Sequence, residues 1–218
     1  MKRLLIAPMA VILAAACTEN KKVEKVYPVG DRAFYQVAGN VESIVFHDVT
    51  GEFIFLGDKP KFNKSGLFFV NEIKYKETKE GENTILELDT DDEDGGGEEY
   101  IRCAYDKDGR LTNVTFWESA FTDISYDEQG RLAGFTALGM MDIESEYVYT
   151  FTYGKDRNPI KVAVKETHPD YENPGKYNTQ NYTFTYEYTA VDENGNWTER
   201  KNQDGTVEKR TINYFPAE

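Results

Sequence analysis

The sequence predicts an all-β chain: a twisted antiparallel sheet of successive β-hairpins with tight Tyr-Asp turns and little helix, left open or curled into a half-barrel. Three observations carry this. From about Phe34 onward apolar residues recur with a period of two, and helical periodicity is missing. Two stretches, Tyr147-Val148-Tyr149-Thr150-Phe151-Thr152-Tyr153 and Tyr182-Thr183-Phe184-Thr185-Tyr186-Glu187-Tyr188, carry a ring at every second residue. In an extended strand such rings share one side of the sheet and predict a buried face. Thirdly, Gly-containing turn signals separate these runs at hairpin spacing.

The N-terminus reads as an address. Met1-Lys2-Arg3 precedes an apolar stretch over residues 4–16 that ends in small residues before Cys17. That is the pattern of a secretory signal, and it is too short for the roughly 20 apolar residues a membrane-spanning helix needs. Leu13-Ala14-Ala15-Ala16-Cys17 resembles the bacterial lipobox, although Ala14 stands where that pattern usually has Leu. The resemblance implies a signal peptide over 1–16, lipidation of Cys17, and a membrane partner reached through that lipid. Thr18 follows in place of the Asp that retains lipoproteins at the inner membrane, so the outer membrane is the expected location, on its periplasmic or its surface face. Residues 17–27 read as lipidated Cys and polar tether, and 28–218 as one antiparallel β domain. With Cys17 lipidated, Cys103 has no partner for a disulfide and is expected in the core.

Along the body, a helical turn or two is expected around 31–37. Further strands are expected at 41–47, 52–56, 67–76, 84–88, 100–105, 111–118, 160–165 and 206–214. Residues 59–69 carry no assignable pattern.

The turns are the most specific signal. Tyr105-Asp106-Lys107-Asp108-Gly109-Arg110-Leu111 and Tyr126-Asp127-Glu128-Gln129-Gly130-Arg131-Leu132 are near-copies 21 residues apart. Asp at the first turn position accepts from backbone N–H groups ahead of it. Gly three residues later takes the positive φ where a type I turn enters a G1 bulge. A degenerate copy, Tyr153-Gly154-Lys155-Asp156-Arg157-Asn158-Pro159, lacks both, whereas Asp192 and Gly195 keep both; Asp204-Gly205 reads as a two-residue hairpin turn. At these residues the chain resembles the YD-repeat (RHS-type) family and small Gram-negative envelope lipoproteins with a few such units. The resemblance covers about 100–214 and implies hairpin architecture. Four or five units are too few for the closed, cargo-holding shell of the family's large members.

Composition narrows the function. With 39 Asp+Glu against 25 Lys+Arg the net charge is −14, so no nucleic-acid partner is expected. Fifteen Tyr and 13 Phe argue against disorder. His47 and His168 sit in no catalytic motif, so the chain is expected to be neither an enzyme nor a cofactor protein. An acidic loop offers Asp89, Asp91, Asp92 and Asp94 as weak calcium candidates, but Asp94 stands where the calcium-binding EF-hand loop needs Gly, and a solvated loop is the expected outcome. Trp117, Trp197, Tyr171 and Tyr177 are the candidates for a ligand-binding platform. The expected function is a non-enzymatic, lipid-anchored binding or structural module of the cell envelope with a protein or polysaccharide partner. The alternative is a glycan-binding surface lipoprotein, and a hydrolase comes third.

Overall fold

The computed structural model describes residues 30–47, 59–69, 75–88, 101–116, 119–139 and 144–216. One short helix, α1 (Gly30–Phe34), comes first. The strands are β1 (Val41–His47), β2 (Tyr75–Glu80), β3 (Asn83–Leu88), β4 (Ile101–Tyr105), β5 (Leu111–Phe116), β6 (Ser119–Tyr126), β7 (Leu132–Leu138), β8 (Glu146–Tyr153), β9 (Pro159–Pro169), β10 (Tyr177–Val191), β11 (Trp197–Asn202) and β12 (Val207–Tyr214). Among the described residues they form one antiparallel sheet in the order β1-β12-β11-β10-β9-β8-β7-β6-β5-β4-β3-β2. The chain is therefore all-β, a meander from β2 to β12 with β1 laid beside β12, Ile44 opposite Ile212.

The first row of rings behaves as its spacing predicts. Tyr149 and Phe151 are buried, with Tyr147 and Tyr153 packed against the same core. In the second row Tyr186 is buried while Tyr182 has left the core and is exposed. Strand β10 explains the difference. It pairs with β9 through Thr185 and with β11 only from Tyr186 onward, so its first nine residues have one open edge.

What covers the apolar face is α1 together with the irregular residues 59–69. All five residues of α1 are buried. Phe34 lies 5.0 Å from Phe135, 5.4 Å from Phe121 and 6.1 Å from Phe69 between ring centroids, and Phe135 stacks on Tyr149 at 4.5 Å. A buried Phe contributes about 1.5–3 kcal/mol by leaving water, with more from such ring pairs. The helix ends in a 6→1 and 5→2 pair of bonds, Val37 N–H to the Arg32 carbonyl (3.0 Å) and Gln36 N–H to the Ala33 carbonyl (3.1 Å). Gln36 consequently sits at φ +55°, a position usually held by Gly.

Two adjacent residues of α1 show that the sheet curls. Asp31 Oδ1 accepts from the Tyr105 hydroxyl on β4 at 2.8 Å, and Arg32 Nε donates to the Val41 carbonyl on β1 at 3.0 Å. Nine strand-to-strand steps separate β1 from β4, which would be roughly 43 Å in a flat sheet. Neighbouring residues reach both only because the sheet wraps around them. Bulges in the β10–β11 pairing at Ala190 add local twist.

Some expectations are corrected. Residues 67–69 do not begin a strand. Asp31 Oδ2 takes the Phe68 and Phe69 amides at 2.6 and 3.1 Å, and the strand starts at Tyr75. Asp204-Gly205 is not a two-residue turn: Asn202 N–H donates to the Thr206 carbonyl and Gly205 N–H to the Asn202 carbonyl, so Asn202 takes the first place of a longer bulged turn. Strands β6 and β7 escape a period-two reading because of a bulge. Asp123 at φ +53° and register shifts from Thr122 to Tyr126 leave the buried Phe121 and Ile124 three residues apart. The expected signal peptide, Cys17 and its tether, the 52–56 strand and the acidic loop lie outside the described residues.

Asp31 is fully buried, and burial lifts its carboxyl from 3.8 to about 6, against the opposing pull of the Phe68, Tyr105 and Phe69 hydrogen bonds and the Arg32 charge. A raised folded-state value means that its contribution to stability is fully present below pH 3.8 and lost as pH rises through 6. Two units correspond to about 3 kcal/mol. Replacing it with the neutral isostere, Asp31→Asn, is expected to remove that loss, so that urea unfolding at pH 4 and pH 7 differs by about 3 kcal/mol less in the variant. Equal pH slopes for both proteins would contradict this.

Candidate functional site

In a meander alternate turns fall at one end of the sheet. The β4–β5, β6–β7, β8–β9 and β10–β11 turns share such an end, and α1 lies beneath it. Gly30 N–H donates to the Gly109 carbonyl at 3.0 Å, while the Asn196 side chain exchanges two hydrogen bonds with the Ala38 backbone at 2.8 and 2.9 Å.

The two near-copies fold identically. Asp106 Oδ1 accepts from the Asp108 and Arg110 amides at 2.9 Å, and its Oδ2 from Arg110 Nε at 2.8 Å; Asp127 does the same with Gln129 and Arg131. Gly109 and Gly130 take φ of +75° and +74°. Burial raises the Asp127 carboxyl, but the Arg131 and Gln129 amides and the Arg131 guanidinium together outweigh it and hold the carboxyl below the usual range. Asp192 Oδ1 takes the Asn194 and Asn196 amides in the same way, with Gly195 at +76°.

Three tyrosines ahead of the later turns also reach back to the preceding hairpin. Tyr126 donates to the Leu111 carbonyl at 2.8 Å, Tyr153 to that of Leu132 at 2.7 Å and Tyr188 to that of Pro159 at 2.5 Å. The arginine of one turn covers the tyrosine of the next, Arg110 over Tyr126 at 5.1 Å and Arg131 over Tyr153 at 4.2 Å. At the last rung Arg210 Nε replaces the phenol and donates to the Trp197 carbonyl at 2.7 Å.

Between the turns and the end of α1 lies a cavity of about 520 Å³. Its wall includes the cations Arg32, Arg131, Lys155 and Arg157, the amide of Gln36 and the ring of Tyr153, and among the described residues it contains no carboxylate, histidine, serine or cysteine. Two of the cations are spent on structure. Arg131 bonds Asp127 and the Asp156 carbonyl, and Arg32 bonds the carbonyls of Val41 and Asn63. Arg157 Nε and Gln36 Nε2, in contrast, are buried without a hydrogen-bond partner. Burial lowers the Arg157 guanidinium from its ordinary value, with Asp192 opposing, and an arginine remains charged at neutral pH all the same. Arg157 stands where the intact turns carry glycine. The departure from the repeat is thus the sequence signal that marks the cavity.

The predicted platform does not assemble. Trp197 is only 4% exposed, held between Arg200 at 4.5 Å and Arg210 at 4.1 Å and packed near Phe46 and Tyr188. Beside it Arg200 pairs with the buried Glu208 at 2.6 Å. Burial and the nearby Arg200 charge push Arg210 down to about 9. Tyr171 and Tyr177 are exposed at 73% and 61%, but they flank the β9–β10 turn at the opposite end of the sheet. Trp117 and the calcium candidates Asp89, Asp91, Asp92 and Asp94 lie outside the described residues. Among the described residues no group of three or more His, Cys, Asp or Glu is placed to hold a metal. His47 is exposed and bonded to Thr211, and Cys103 is a buried free thiol. No family model and no curated protein matches the chain.

A Cβ on Gly130 would meet nothing within 4 Å, so substitution there tests backbone strain alone. Gly130→Val is expected to cost roughly 2–3 kcal/mol by thermal or urea unfolding, and Gly130→Asn under about 1 kcal/mol, because Asn tolerates the left-handed region. Equal losses would count against the bulged turn.

Proposed function

We propose that this chain is a non-enzymatic binding module of the cell envelope, anchored to the outer membrane by a lipid on Cys17. The observation that carries the binding part is the cavity under the Tyr-Asp turns. It is large enough for a small molecule and offers cations and amide donors. The basic start, apolar stretch and Cys17 support the anchor. The identical hydrogen bonding of the 105–111 and 126–132 units supports kinship with YD-repeat proteins at the level of hairpin architecture. The glycan-binding alternative keeps Tyr171 and Tyr177, whose exposed rings suit stacking on a sugar face, and loses Trp197 to the core.

The anchor has a direct test. In a Gram-negative host, labelled palmitate is expected to enter the wild-type chain and not Cys17→Ala, with the wild type fractionating with the outer membrane. An unlabelled wild type would overturn the lipoprotein reading.

A further inference from the structure

We infer that the cavity beneath the turns binds a small organic oxyanion, a carboxylate or a phosphate ester carried on a body about the size of one sugar ring, with Arg157 and Gln36 as the groups that meet its charge. The inference rests on the binding-module reading for the choice of cavity. It is independent of the lipid anchor, so the palmitate experiment and the one below fail separately.

Charge is the first argument. Acids outnumber bases 39 to 25 in the chain, yet the cavity wall gathers four cations and no acid. Asp127 engages Arg131 and Asp192 acts on Arg157 from behind the wall, yet the lining itself presents positive charge to the cavity, which a bound anion would meet.

The second argument is the pair of unspent donors. Arg157 Nε and Gln36 Nε2 are buried and have no hydrogen-bond partner, a state folded proteins rarely leave uncompensated. Both residues line the cavity. A guanidinium and a carboxamide N–H in the lining of one cavity are a donor set that suits a carboxylate or phosphate oxygen, since guanidinium presents its N–H groups in a planar fork.

The backbone supplies the third. Gln36 closes α1 at φ +55°, where glycine would be unstrained. The side chain present there belongs to the cavity lining and ends in an amide nitrogen that is buried without a hydrogen-bond partner. Strain of this kind, held at a concave cationic site, is the signature of a residue kept for what it binds. Tyr153, Leu132 and Val37 complete the wall with apolar surface for the body of the ligand.

Three probes share one ring body and differ in charge: glucuronate, glucose 6-phosphate and glucose. Each is titrated calorimetrically into the full chain in nonionic detergent. At least one of the two anions is expected to bind, more weakly as salt rises, and glucose is not. Glucuronate alone would identify a carboxylate site and glucose 6-phosphate alone a phosphate site, and either supports the inference. Gln36→Gly is expected to raise the unfolding midpoint while weakening binding about tenfold. That opposite movement separates a ligand-binding role from a structural one. Arg157→Gln is expected to weaken binding by roughly 30-fold or more. Binding of glucose as tight as that of the anions, silence from both anions, or full affinity in both variants would overturn it.

Discussion

A twelve-stranded meander has an apolar face it cannot bury against itself unless it curls, and something must fill the hollow. Here the filling is the chain's own N-terminal segment, α1 with residues 59–69. Phe34 supplies the ring against which β6 and β7 pack, and Asp31 ties the helix to β4 and to the Phe68 and Phe69 amides. Every other feature follows from this insertion. The sheet curls because both β1 and β4 must touch the same two residues. The cavity exists because a five-residue helix is too short to fill the space below the turns.

Above that filling, the turns act as a linked row. An Asx-type turn is locally complete, since Asp, Gly and Arg within five residues satisfy one another. Tyr126 and Tyr153, each preceding its turn, then bond a carbonyl of the previous hairpin and lie beneath the previous arginine. One residue type thus closes the gap between neighbouring units, which is why the spacing between units can change from 21 to 27 residues while the contact persists. Where the unit degenerates, its glycine position becomes Arg157, and that side chain joins the lining of the cavity.

What was legible in the sequence is what is local. The Asp106 and Asp127 turns, the Tyr147–Tyr153 face and the short helix at Asp31 all rest on interactions within a few residues, and their patterns announce them. The bulge at Asp123 hid β6 because it replaces the period of two by a spacing of three. Trp197 stood among the platform candidates because its partners Arg200 and Arg210 belong to its own strand and the next, and a lone Trp after a turn does not reveal them. The cavity was invisible for the same reason at longer range: Gln36 and Arg157 come from opposite halves of the chain and meet only once the sheet has curled.

The placement of β1 sets the order of assembly. Ten of the eleven strand pairings join neighbours in the chain and can form as each hairpin is made. The remaining one joins β1 to β12, with Asn213 bonded to Ser43 across 170 residues. Loop closure over that distance is slow, and the first strand has no sheet partner until the last has emerged. The edge of β1 therefore stays unpaired until residues up to Tyr214 have been made, so that a chain stopped short of β12 leaves its first strand without a partner in the sheet.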